Sequence, residues 1–214
     1  MIVVIGGIKG GSGKTTLATN LTVLRANQGK KLLLVDADEQ RSTSLWAQQR
    51  EMQGFPSSWV TIQLSGMNVR SQIQKLAKDY DDIIVDVGGR DTTTQRSALT
   101  CADIYLLPFQ PRSFDVWTAG PVKGMIGEIM TVNEKLKTYA VINRGDYIGN
   151  DNSEAIQILQ DPPNSIQTLP CIIGQRKIFA NAASEGLGIV EMRIIDKKAN
   201  LEIQELYKLV FRDT

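Results

Sequence analysis

Apolar residues recur along this chain in two rhythms. Uninterrupted runs at IVVIG (2 to 6), LLLVD (32 to 36), VTIQL (60 to 64), DIIVDV (82 to 87), IYLLPF (104 to 109) and YAVIN (139 to 143), most bounded by turn residues, predict strands buried on both faces. Between them the apolar positions step by three and four: Leu17, Leu21 and Leu24; Val69, Ile73 and Leu76; Val122, Ile126 and Ile129 behind Pro121, a residue suited to a first helical position. A last helix over roughly 197 to 212 aligns Ala199, Ile203, Leu206 and Val210 on one side. Such alternation predicts an α/β fold: an open, mostly parallel twisted sheet flanked by helices on both faces, with ligands at the carboxyl ends of the strands. With no repeats, linkers or low-complexity segments, residues 1 to 214 are expected to form a single domain.

Composition narrows this frame. A chain of 214 residues with 42% hydrophobic content has room for one full core. The apolar runs are too short to span a bilayer and no signal-peptide pattern precedes them, so a cytoplasmic protein is expected. Two cysteines, Cys101 and Cys171, and no histidine remove zinc spacings and Ser-His or Cys-His pairs; both thiols are expected to be buried. The net charge is +1, so any nucleic-acid surface must be a local patch.

The chemistry concentrates in GGIKGGSGKTTLATN, residues 6 to 20, where the first strand turns into a helix. Backbone N–H groups at Gly10, Gly11, Ser12 and Gly13 can converge on a β-phosphate because missing side chains let the main chain approach, and the helix start adds its positive dipole end. Lys14 is expected to bridge the β- and γ-phosphates and Thr15 to ligate Mg²⁺, with Thr16 completing the G-K-T-T run. A glycine turn without a ligand is the bland alternative. The pattern G-x-x-x-x-G-K-[ST] wants glycine at position 8, where this chain has Ile8, and Lys9 follows directly.

The run KGGSGKTT, Lys9 to Thr16, resembles the deviant Walker A ATPases, the family of the ParA partition proteins and the MinD cell-division positioning proteins, in which the residue before the first lysine is often not glycine. The resemblance implies that Lys9 crosses to the nucleotide of a second subunit, acting as an arginine finger made of lysine in an ATP-sandwiched homodimer. It matches D-x-D-P-Q at Asp36, Asp38 and Gln40, with Glu39 in place of proline; it implies that Asp38 positions the attacking water and that Asp36 lies near the metal. A helix-cap role is the alternative for Asp36. In DYDDIIVDVGGRD, residues 79 to 91, Asp86 stands where the family holds Mg²⁺, and Gly88 and Gly89 replace its prolines, implying a second switch that is looser or shaped for another partner. RDTTTQRS beyond it reads as a helix start at the dimer interface or as a plain cap. Asn143, in NRGD, is the implied base contact, favouring ATP over GTP. PFQPRSFDVW, 108 to 117, matches a further family segment without an assigned role.

The resemblance covers most of the chain and points to short partition proteins without an amino-terminal DNA-binding extension. It implies non-specific DNA binding, a cytoplasmic, nucleoid-associated location, and a centromere-binding or cargo-adaptor partner that stimulates hydrolysis. Candidate DNA contacts are Arg176, Lys177, Arg193, Lys197, Lys198, Lys208 and Arg212, although residues 176 to 214 hold six acidic groups against these seven. A solvated helix face is the alternative. QELYKLVFRDT invites comparison with the membrane-docking helix of MinD-like members but reads more simply as a packing helix. A P-loop ligase and a nitrogenase-iron-protein-like electron carrier remain as alternatives from other classes.

Overall fold

The computed structural model describes residues 1–111, 119–146, 148–160 and 166–211. Its strands are β1 (Ile2–Ile5), β2 (Leu32–Ala37), β3 (Trp59–Gln63), β4 (Asp82–Val87), β5 (Ile104–Phe109), β6 (Lys137–Gly145) and β7 (Gln167–Gly174). They form one sheet in the order β3-β2-β4-β1-β5-β6-β7, every neighbouring pair parallel. The helices are α1 (Lys14–Ala26), α2 (Ser42–Met52), α3 (Val69–Leu76), α4 (Thr93–Leu99), α5 (Ala119–Met130), α6 (Asp151–Gln160), α7 (Lys177–Ser184) and α8 (Lys197–Val210), with a 3₁₀ turn at Ile189–Glu191.

Side chains alternate across each strand, and the two sets build two cores. Val3, Ile5, Leu32, Leu34 and Ile84 pack beneath α1, α2, α7 and α8. Val4, Leu33, Val35, Ile83 and Val85 pack beneath α3, α4, α5 and α6. Parallel strands need this double cover, because both of their faces are apolar. The single α/β domain expected from the apolar runs is the one observed.

Several elements were not legible in those runs. The buried stripe of α2 is Thr43, Trp46 and Arg50, of which two are polar, so apolar periodicity is silent there. β7 carries Pro170, which a sheet accepts at an edge, and β7 pairs only with β6. In α5, Pro121 lies inside the first turn and not at its head, a place where its missing N–H still costs no helical bond. The expected stripe of α8 is buried as predicted. The helix packs Leu206, Val210 and the following Phe211 into the core, which is the packing-helix reading of that segment; Arg212 lies outside the described residues.

The order of the strands decides where function gathers. From β1 the chain runs outward to β2 and β3, returns through β4 beside β1, and then crosses to β5 on the other side of β1. The carboxyl ends of β1, β2 and β4 therefore stand side by side, with Ile5 opposite Asp86 and Asp86 opposite Asp36. α1 is pinned to β4 at both ends. Thr15 in its first turn donates to Asp86 at 2.7 Å, and Arg25 in its last turn meets Asp82 at 2.7 Å, where the amino terminus of Met1 also lies 3.2 Å away.

Arg25 and Asp82 are both nearly inaccessible, so removing one partner strands a buried charge. Asp82→Ala is expected to cost roughly 3–5 kcal/mol in urea unfolding. Adding Arg25→Met should recover part of that loss; a double variant no more stable than Asp82→Ala would contradict this.

Candidate functional site

The first turn of α1 is built to be left open. Its N-cap is Gly13 at φ 90°, no side chain caps it, and its first turn has no acidic residue. α4 and α8, in contrast, are closed by Thr92 and Asp196, which accept from the N–H groups of Gln95 and Ala199. The orphan N–H groups of α1 and its dipole thus face the sheet edge without a built-in acceptor, as an anion site requires. Glycine is obligatory at 13: besides its positive φ, a Cβ there would stand 2.1 Å from the Asn143 side-chain nitrogen. Asn143, the implied base contact, lies under the loop, where its buried amide donates to the Ser12 carbonyl at 2.6 Å. Gln110 donates to the Gly11 carbonyl at 2.8 Å from the other side.

The two lysines have different fates. Lys14 is buried and folds back to donate to the Lys9 carbonyl at 2.9 Å. Burial lowers its pKa, and the carboxylates of Asp86 and Asp38 oppose that shift. Lys9 is exposed beside Gly10, which lines the cleft.

Asp86 forms the floor. It is 1% exposed; one carboxylate oxygen accepts both Thr15 Oγ1 and Thr43 Oγ1 at 2.7 Å, while the other is buried with no partner among the described residues. Burial raises its pKa to about 7, the Thr15 and Thr43 hydroxyls and Lys14 pull it down, and Asp36 adds to the rise. A buried carboxylate oxygen without a donor, beside a threonine hydroxyl, suits a small hard cation such as Mg²⁺. Asp36, expected near the metal, lies in register with Asp86 on the neighbouring strand. It accepts the Ser44 N–H and Oγ, both at 2.7 Å, and the Asp38 N–H at 3.2 Å, so the helix-cap alternative describes it. Asp38 does line the cleft, and its carboxylate accepts the Gln40 N–H at 3.0 Å.

The cleft holds about 540 Å³ between the glycine loop, residues 37–40 with Ser42, and the loop after β4. The glycines of that last loop are close-approach residues rather than sources of looseness. A Cβ on Gly89 would lie 2.6 Å from the Gly10 nitrogen and 2.7 Å from the Lys9 carbonyl oxygen, and one on Gly88 would lie 3.2 Å from the Asp38 carboxylate. No role was expected for Thr43 or Gln110; RDTTTQRS was expected to start a helix, and Thr92 caps α4 there while Arg90, Thr92 and Thr94 line the cleft. Thr43 sits in the polar run RSTS, and only its fall on the buried side of α2 marks it.

Comparison with known proteins now decides the family. The family model described as "CobQ/CobB/MinD/ParA nucleotide binding domain" matches residues 3–189. The chain belongs to this family. It is 26% identical to the "Maintenance of carboxysome distribution protein A" of Halothiobacillus neapolitanus over 210 residues, 94% of this chain and 92% of that protein. Its fold is similar to that of a Cyanothece McdA variant in complex with ATP, with TM-score 0.79 at 17% identity over 97% and 95% of the two chains. It is also similar to Pyrococcus horikoshii MinD with Mg-ADP, with TM-score 0.75 at 18% identity over 99% and 96%.

Elsewhere on this ParA/MinD-type domain, the structure removes one of the expected DNA contacts. Arg176 is nearly buried and paired with Glu202 and Asp196, so it is a structural cation. The same pairing, with that of Glu191 to Arg50, ties up acids of the region. Lys177, Arg193, Lys197, Lys198 and Lys208 remain exposed, against Glu185 and Glu205 among the described residues. Cys101 is only half-buried, contrary to expectation, and it packs against the opposite sheet face from the buried Cys171, so the two do not approach as cluster ligands. Among the described residues no helix is long and apolar enough to cross a membrane.

Because the folded-state pKa of Asp86 lies above 3.8, the folded chain keeps a proton there that the unfolded chain has lost. Without nucleotide or metal, this group therefore makes stability fall as pH rises from about 4 to about 7. Asp86→Asn is expected to flatten that slope and to raise the melting temperature at pH 8. A melting-temperature profile with the wild-type slope would contradict the assignment.

Proposed function

We propose that this chain is an ATP-dependent positioning switch of the ParA type. ATP with Mg²⁺ joins two copies face to face, the pair binds DNA without sequence preference, and slow hydrolysis stimulated by a cargo-bound adaptor separates it. The observation that supports this reading is the cleft itself: the uncapped start of α1, Lys14 and Asp38 line it, and Asp86 with its unpartnered oxygen forms its floor. In this reading Lys14 serves the chain's own phosphates, and the exposed Lys9 serves a partner's.

The uncapped start of α1 and Gly10, Gly11, Ser12 and Gly13 cradle the phosphates, and Lys14 neutralises the β- and γ-oxygens. Thr15 and Asp86 would hold Mg²⁺, which when bound neutralises charge on the β- and γ-phosphate oxygens. Asp38, at the cleft wall and held by the Gln40 N–H, orients the attacking water. Its own chain supplies the water site and its partner's Lys9 supplies positive charge where negative charge develops.

DNA binding is assigned to Lys177, Arg193, Lys197, Lys198 and Lys208. Each copy offers a weak patch, and a dimer doubles it, so phosphate contacts that release counterions together hold the pair where one copy lets go. The carboxysome-distribution relative supports a protein assembly as cargo as readily as a plasmid. The adaptor stays defined only by its effect on hydrolysis.

Mixing variants tests the trans role. Lys9→Ala and Asp38→Ala are each expected to lose turnover; in an equal mixture activity returns, towards roughly a quarter of wild type at protein concentrations high enough to pair the subunits at random, since each mixed dimer holds one complete site and one Lys9 across the interface. A mixture as inactive as its components would contradict action in trans. In filter retention, ATP but not ADP is expected to make the wild type hold DNA of any sequence, and Lys197→Glu with Lys198→Glu to abolish retention while sparing turnover. Retention indifferent to nucleotide would sink the switch.

A further inference from the structure

Outside the machinery described so far, the loop after β4 carries a cation that no role accounts for. Arg90 is exposed and lines the same cleft as Lys14, Thr15 and Asp38. The glycines before it fix its place. With the Cα of Gly89 seated so closely on the Lys9–Gly10 peptide that a Cβ would collide with it, Arg90 leaves the backbone one residue from the glycine loop. Its acidic neighbour is neutralised from the far side: both oxygens of Asp91 accept from Arg96, at 2.6 and 2.7 Å, and Arg96 also pairs with Glu128 on α5. Arg90 makes no hydrogen bond or ion pair among the described residues. A long cation held at the mouth of an anion site, beside an acid already paired elsewhere, is placed for an incoming anion.

We propose that Arg90 is a catalytic residue of its own chain's site, its guanidinium gripping the third phosphate of the bound nucleoside triphosphate. This rests on the ATPase reading above and deepens it, for it assigns to the same chain the contact that distinguishes triphosphate from diphosphate. Its planar fork can donate to two γ-phosphate oxygens in a fixed parallel geometry, whereas Lys14 is shared between the β- and γ-oxygens. In hydrolysis the water oxygen bonds to the γ-phosphorus while the bond from that phosphorus to the β–γ bridging oxygen breaks, its electron pair leaving on ADP. One water proton stays on the released phosphate and the other passes to solvent. Arg90 donors oppose the charge on the γ-oxygens throughout. Once the phosphate departs, the loop loses that anchor, so the same residue reports the nucleotide's state to α4.

Affinities for ADP and for the non-hydrolysable analogue AMPPNP, measured by calorimetry on the wild type, Arg90→Ala and Arg90→Lys, test this. Arg90→Ala is expected to weaken AMPPNP about tenfold or more and ADP by less than about twofold, with Arg90→Lys recovering part of the loss. Arg90→Ala that weakens both nucleotides equally, or neither, would overturn the assignment. Mixed with Asp38→Ala, Arg90→Ala is expected to stay inactive; restored turnover would place Arg90 in trans and overturn the in-chain role. Wild type that turns over no ATP would instead overturn the reading on which this rests, whereas an active wild type matched by an equally active Arg90→Ala would sink Arg90 alone.

Discussion

A carboxylate sealed from water at the centre of a parallel sheet is an expense that a fold keeps only with compensation. Asp86 has partial compensation. One oxygen collects two threonine hydroxyls, from α1 and from α2, and the other faces no donor among the described residues. Those two hydroxyl bonds hold the start of each helix against the end of β4, so the positions of the glycine loop and of the segment after β2 both follow from this group. The missing donor leaves room for a cation, and burial raises the group's pKa.

Around that point the site is shaped by what is left out. α1 has no capping side chain, Gly13 leaves space for the Asn143 amide, and Gly89 lets two loops touch. The first leaves backbone N–H groups open to the cleft; the other two let neighbouring segments close on the glycine loop and fix its shape. Structural ion pairs elsewhere do the opposite work. Arg25 with Asp82, Arg50 with Glu191 and Arg176 with Glu202 lock elements together and take no part in the cleft.

The sequence carried the sheet and the phosphate loop because both obey short-range rules: unbroken apolar runs for doubly covered strands, and glycine spacing for a loop that meets phosphate. It was weaker where burial is polar. Thr43 and Arg50 give α2 a largely polar buried stripe, and Asp36 engages the Ser44 N–H and hydroxyl with one oxygen and the Asp38 N–H with the other, partners that no strand pattern announces. Arg176 looked like a surface cation until Glu202, 26 residues away in sequence, came beside it. The glycines at 88 and 89 suggested looseness; the packing of Gly89 on the Lys9–Gly10 peptide turns them into a tight joint, which no local pattern announces.

The account as a whole turns on a bound triphosphate acting as the bond between two chains. The molar mass in solution, by light scattering at fixed protein concentration with AMPPNP and Mg²⁺, with ADP and Mg²⁺, and with neither, measures that directly. The account predicts a doubled mass with AMPPNP alone, reverting to the monomer in Lys9→Ala. A mass that ignores the third phosphate, whether single or double throughout, would contradict it.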